Sequence, residues 1–250
     1  MTATRSEPIK VLAKATELIE VLAAEGPLSP AEAAERMGIP RSSAYRLVDG
    51  LTAAALAELL DDGRVRLSAR WLSLADVARD SMTEWSDATP VLEQLVARTG
   101  QTAFLSVLSD AAAVCIDWRQ GRGIDLLATK PGRSLPLNAG ASGRVMLAYS
   151  RDSEALLEGG RFIRMTETSL ITVEELREDI ATTRRQGYVL SDGDVAAGIA
   201  GIAMPVLDDA GDLAGTVAIA GLADVFRENT ETLAATVADE LAVLQGIHRL

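Results

Sequence analysis

The chain has 250 residues, with 24 lysines and arginines against 36 aspartates and glutamates and a formal net charge of −12. That length suits two domains, a small one and a larger one. The lone histidine, His248, argues against most histidine-dependent catalysis and histidine-rich metal sites, and the lone cysteine, Cys115, against an internal disulfide framework. The opening helix is expected over residues 8–25, with Val11, Leu12, Ala15, Leu18, Ile19 and Leu22 as one apolar stripe. Ser29 is placed to cap a second helix, Pro30 fits its first position, and Glu32 stands where a capping-box carboxylate belongs. Ala31, Ala34 and Met37 form its narrow apolar face, and Gly38 ends it.

Ile39 plugs the turn and Pro40 limits the restart of a third helix, from about Arg41 to Leu51. Ala44, Leu47, Val48 and Leu51 form its buried stripe, and Ser42, Tyr45, Arg46 and Asp49 lie opposite. A further short helix is expected next. A hairpin follows, in which Leu59-Leu60 and Val65-Arg66-Leu67 flank Asp61-Asp62-Gly63-Arg64. This is the pattern of a winged helix-turn-helix, which places one helix in the major groove of double-stranded DNA. The candidate DNA-binding residues are Arg41, Ser42, Ser43, Tyr45 and Arg46 on that helix and Arg64 and Arg66 at the wing. Asp61 and Asp62 oppose phosphate at the same tip.

An acidic chain is an unusual DNA partner, but its charge is uneven. Residues 1–81 carry a net −2 and residues 82–250 a net −10, while residues 36–70 hold six arginines against four acids. Affinity depends on the local patch, because charge beyond about one Debye length of ~8–10 Å is largely screened. A nearly neutral DNA domain predicts modest affinity per chain and therefore a dimer.

Beyond the wing, Leu67–Asp80 has a helical pattern with Leu72, Leu74, Ala75 and Val77, read as a linker helix. A helix follows at about Thr89–Arg98, ended by Gly100. The period then changes. Strands are expected at Thr102–Leu108, Ala112–Trp118 and Ile124–Thr129, with Pro131–Leu137 as an extended loop. Asn138–Gly143 leads into a helix through Tyr149, and Val173–Gln186 is helical until Gly187. Strands are read at Tyr188–Leu190, Ile202–Leu207 and Leu213–Ala220, and a last helix over about Asn229–His248. The fold class is α+β, with a mainly antiparallel sheet. Cys115 lies in an apolar run and reads as a small buried hydrophobe.

Several segments in order carry a family likeness: Gly38-Ile39-Pro40-Arg41-Ser42-Ser43-Ala44-Tyr45-Arg46-Leu47, Gly132-Arg133-Ser134-Leu135-Pro136-Leu137-Asn138-Ala139, Gly143-Arg144, Gln186-Gly187-Tyr188 and Ile202-Ala203-Met204-Pro205-Val206. Over nearly its whole length the chain resembles IclR-type bacterial transcriptional regulators. The resemblance implies a winged helix-turn-helix over residues 1–67, a linker helix over 68–81 and a GAF-like effector-binding domain over 82–250. It also implies homodimers, often paired into tetramers, and control by a small organic acid. Carried over by motif position, the effector pocket comprises Leu126, Ala139, Gly140, Ala141, Ser142, Ser191, Asp192, Ile199, Gly201, Ala218 and Ala220. Free N–H groups where Gly140 to Gly143 open a helix suit a carboxylate. Cysteine is common in the family where Gly201 stands, and serines where Ala218 and Ala220 stand. The pocket is therefore expected to be roomier and less polar, favouring an aromatic acid over one of glyoxylate size.

No cofactor is expected. Catalysis by Cys115 or Ser142 would lack a well-placed histidine. An architectural DNA binder without a ligand is the other alternative, and the size and glycine-bearing turns of the second domain weigh against it. No run is long and apolar enough to span a membrane, and the first residues have no signal-peptide pattern, so a cytoplasmic protein is expected.

Overall fold

The computed structural model describes residues 9–122 and 130–247. The expected strand Ile124–Thr129, with Leu126, lies outside the described residues, as does His248. The chain divides into two units, Met1–Ser81 and Met82–Leu250.

In the first unit, α1 (Lys10–Glu25), α2 (Pro30–Met37) and α3 (Arg41–Ala53) precede a hairpin of β1 (Ala57–Leu59) and β2 (Val65–Leu67), and α4 (Arg70–Asp80) follows. The α2 start is set by a complete capping box. The Ser29 hydroxyl accepts from the Glu32 amide, and the Glu32 carboxylate accepts from the Ser29 amide. The Ser29 hydroxyl and the Ser29 amide both donate to the Glu32 carboxylate and hold it below its ordinary pKa. Gly38 closes α2 in the left-handed region, at φ 60° and ψ 35°, where only glycine sits without a steric cost. Leu18, Leu22, Ala33, Met37, Val48, Leu51, Ala57 and Val65 form one core.

Three expectations are corrected here. The α1 stripe is buried only in its second half: Leu18 and Leu22 are covered, whereas Val11 and Leu12 are 61% and 59% exposed. The first turns of α1 stay outside the core cluster and border an open cleft beside the start of α3, so the apolar periodicity outruns the surface that covers it. On α2 the inward face is Ala33, Ala34 and Met37, with Ala31 only half-buried. The short helix expected after α3 is absent, because Ala55 takes a left-handed φ of 57° and turns the chain straight into β1. α4 is tied to that turn by Trp71 Nε1 donating to the Leu56 carbonyl at 2.7 Å and Arg70 Nη1 to the Ala54 carbonyl at 2.7 Å. It buries no residue of its own, and Leu72 and Val77 are 72% and 64% exposed.

The second unit begins with a 3₁₀ turn at Thr83–Trp85 and α5 (Ala88–Thr99). Next come β3 (Thr102–Ser109), β4 (Ala112–Arg119), β5 (Ser134–Pro136), α6 (Gly140–Tyr149), α7 (Ser153–Gly159), α8 (Val173–Gln186), β6 (Val189–Asp192), β7 (Ile199–Leu207), β8 (Leu213–Leu222) and α9 (Ala223–Ile247). The strands form one antiparallel sheet in the order β5-β4-β3-β8-β7-β6. Alternation sorts its residues onto two faces. Ala103, Leu105, Ile202, Met204, Val217 and Ile219 pack with α5 and α9. Phe104, Val189, Ala203, Ala218 and Ala220 pack with Ala141 and Val145 of α6.

β5 and α7 were not expected; each is too short to carry a periodic signal. α9 starts at Ala223, earlier than expected. Asn229 breaks its helical geometry at φ −127° and ψ 21°, with Asn229 Nδ2 donating to the Val225 carbonyl.

Candidate functional site

The recognition stripe forms as the periodicity requires. Ser42, Tyr45, Arg46 and Asp49 are all exposed on α3, with Arg41 and Ser43 exposed beside them, while Ala44, Val48 and Leu51 are buried beneath. Arg41 stands 3.7 Å from Glu35. At the wing, Arg64 pairs with Asp62 at 2.7 Å, and Arg66 pairs with Glu58, its cross-strand partner. The Arg64 hydrogen bond holds the Asp62 carboxyl below its ordinary pKa. Three of the five predicted arginine and tyrosine contacts thus carry a carboxylate of their own, and a phosphate must exchange with it. All these pairs are exposed, where an ion pair is typically worth only ~0–1 kcal/mol, so the exchange is inexpensive. Arg46 has no carboxylate within 4 Å among the described residues.

In the second unit, the residues expected around an effector fall mainly on the α6-facing side of the sheet. Ser191, Gly201, Ala220 and Thr102 lie in register across four strands. The next row on that face is Val189, Ala203, Ala218, Phe104 and Trp118. Ala141 packs in the same cluster, with Ile199 and Trp118 at its edge. Phe104, Trp118 and Cys115 belong to this surface and were not placed in the pocket from sequence, where Cys115 read only as a small buried hydrophobe. Their alternation with Ala103 and Ile116 was the available signal. Lys130 stands 5.6 Å from the centre of the Trp118 ring.

The start of α6 differs from expectation. The Gly140 amide is not free, because it donates to Asp194 Oδ2 at 3.3 Å. Asp194 is 2% exposed, accepts from the Ser191 hydroxyl, and accepts from Arg144 Nη1 at 3.2 Å. Arg144 also donates through Nε to Asp179 Oδ2 at 2.9 Å and through Nη2 to Asp179 Oδ1. Burial works against the Arg144 cation, but the hydrogen bond and charge of Asp179, with the charge of Asp194, outweigh it and raise the guanidinium pKa. The protein therefore places its own anion where the helix start attracts one. Asp194 is 54 residues from Gly140, so no local motif reveals it.

Asp192 is likewise engaged, by Arg227 Nε at 2.7 Å and Nη2 at 2.8 Å. Gly201 leaves less room than its missing side chain suggests. A Cβ there would stand 3.0 Å from the Ile219 carbonyl and 3.3 Å from the Ala220 Cβ. Ala139, at the cap of α6, is fully buried. The Ser142 and Thr216 hydroxyls are buried with no hydrogen-bond partner among the described residues. Leaving such a group unsatisfied costs about 1–3 kcal/mol. No group of three or more His, Cys, Asp or Glu side chains suited to a metal occurs among the described residues.

Comparison with known proteins agrees with this architecture. Residues 11–60 match the IclR helix-turn-helix domain, and residues 79–242 match the bacterial transcriptional regulator IclR C-terminal domain. The chain is 30% identical over 173 residues to the HTH-type transcriptional regulator XynR of Escherichia coli (strain K12), covering 68% of this chain and 69% of that one. A crystal structure of an IclR-type regulator from Alicyclobacillus acidocaldarius superposes with a TM-score of 0.80 at 23% identity, covering 97% of this chain and 100% of that one. An IclR homologue from Microbacterium hydrocarbonoxydans, crystallised with 4-hydroxybenzoate, has a TM-score of 0.70 at 22% identity, covering 93% of this chain and 99% of that one. The chain belongs to the IclR family of transcriptional regulators, which are DNA-binding helix-turn-helix proteins and not enzymes.

Proposed function

We propose that this regulator binds double-stranded DNA as a homodimer through α3 and the wing. In this reading a small organic acid of aromatic size binds the α6-facing side of the sheet in the second unit and changes DNA affinity. The observation that carries the ligand reading is the buried, unpartnered Ser142 hydroxyl in the first turn of α6. It leaves one polar group to a ligand beside an otherwise small and apolar surface of Ala141, Ala218 and Ala220. Because Asp194 already takes the Gly140 amide, Ser142 is the group that orients the ligand's polar end, and the helix start contributes its field. A neighbouring fold that holds 4-hydroxybenzoate supports an aromatic acid. The exposed Leu72, Leu74 and Val77 of α4 support self-association. No helix among the described residues is long and apolar enough to cross a membrane, consistent with a proposed cytoplasmic site of action.

A thermal-shift screen with benzoate, 4-hydroxybenzoate and glyoxylate tests the ligand reading, followed by calorimetry on Ser142→Ala. An aromatic acid at about 100 times its Kd is expected to stabilise the native state by ~2.7 kcal/mol, with glyoxylate giving less. Ser142→Ala is expected to weaken binding by roughly 5- to 10-fold, the worth of one hydrogen bond. The ligand-free variant should be no less stable than the parent, because an unsatisfied hydroxyl has been removed. Equal affinity in the variant would remove Ser142 from the site.

A further inference from the structure

The exposed face of the first unit holds a cleft of about 400 Å³ between α1 and the start of α3. Val11, Ile39, Pro40 and Leu47 line it with apolar surface, and Lys10, Lys14, Ser43 and Arg46 supply its polar groups. No carboxylate lines it. Its charge is distinctive within the unit. Arg36, Arg41, Arg64, Arg66 and Arg79 each sit against a carboxylate. Lys10 and Arg46 have none within 4 Å among the described residues, and both line this cleft. Lys14 pairs with Glu17 at 2.7 Å, one helical turn away and partly exposed. Such a pair is weak and yields readily to a phosphate. Lys10 and Lys14 are four residues apart and so share one face of α1.

We propose that this cleft is a second DNA contact, a clamp on the sugar-phosphate backbone flanking the groove that Arg46 enters. Lys10 and Lys14 each neutralise a phosphate, and the apolar floor takes the intervening deoxyribose. The proposal rests on the DNA-binding reading of α3 and extends it to α1, whose exposed first turns have no part in the core. It also bears on how an acidic chain holds DNA: of the three cations of the first unit with no carboxylate within 4 Å among the described residues, Lys10 and Arg46 line this cleft, and the third, Arg70, donates to the Ala54 carbonyl. Charge complementarity favours a polyanion with closely spaced phosphates, because the cleft presents two lysines and an arginine and no carboxylate.

The test is an anisotropy titration of full-length protein against a 30-base-pair duplex of random sequence over a series of salt concentrations. The double variant Lys10→Gln, Lys14→Gln is compared with Lys10→Arg, Lys14→Arg and with Arg36→Gln, which removes one positive charge outside the cleft. Each lost phosphate contact lowers the slope of log affinity against log salt by about 1. The glutamine pair is therefore expected to lose about 2 per protomer, equally on any sequence, while the arginine pair and Arg36→Gln keep the parental slope. A parent that binds beside a glutamine pair with an unchanged slope would overturn the clamp alone. So would a glutamine pair that changes the sedimentation of the free protein and not the slope, since a second copy would then cover the cleft. A parent with no salt-dependent binding would overturn the DNA-binding reading, and the clamp with it.

Discussion

Replacing Arg144 with methionine is expected to destabilise the second unit by about 3–5 kcal/mol, the range for removing one partner of a buried ion pair. The reason is geometric. Among the described residues Arg144 is the one cation hydrogen-bonded to both Asp179 and Asp194, and the Asp194 side chain is 3% exposed. Without the guanidinium, Asp194 keeps only the Gly140 amide and the Ser191 hydroxyl. A carboxylate so placed either stays charged without a counter-ion or takes up a proton, and both states cost free energy. Chemical denaturation followed by tryptophan fluorescence reads the effect. A loss below about 1 kcal/mol would mean that the two carboxylates are solvated in solution, and that the start of α6 is not held as described.

Arg46→Ala is expected to weaken binding to a preferred duplex by roughly 1–3 kcal/mol, about 5- to 150-fold, if the side chain reads a base edge. The preferred duplex can be selected from a random pool by the protein itself. Arg46 is exposed on the same stripe as Ser42 and Tyr45, and no carboxylate of the described residues competes for it. Base reading predicts relaxed preference at one position of each half-site, with two chains bound per duplex. A contact to phosphate predicts the same loss on every sequence. Unchanged affinity at fixed salt would take Arg46 out of the interface.

The local parts of the fold were legible because local chemistry dictates them. Ser29, Glu32 and Gly38 specify where α2 begins and ends, and Ala44, Val48 and Leu51 specify the inward side of α3. The strands of the second unit were legible wherever small and branched apolar residues run together, as in β7 and β8. What periodicity lacks is knowledge of the covering surface. Val11 and Leu12 continue the α1 stripe yet remain more than half exposed, outside the core that covers Leu18 and Leu22.

At the candidate sites, residue identity was more legible than pairing. The wing arginines were identified and Asp62 was named beside them, but neither ion pair was, although hairpin register sets Glu58 opposite Arg66. The glycine-led start of α6 was identified as an anion seat, but its occupant arrives from the loop after β6. That last partner depends on tertiary structure, and spacing in the chain carries no trace of it.

In the proposed function, ligand in the second unit governs DNA binding by the first. The decisive measurement is affinity for the selected duplex with and without the acid that stabilises the protein most in the thermal screen. A ligand shifts a two-state equilibrium only as far as it discriminates between the states. Saturating acid is expected to change DNA affinity by roughly 5- to 150-fold, the usual range of allosteric coupling, and Ser142→Ala to move the half-effect to higher acid concentration. Equal DNA affinity at zero and saturating acid, with binding of the acid confirmed by calorimetry, would contradict that reading.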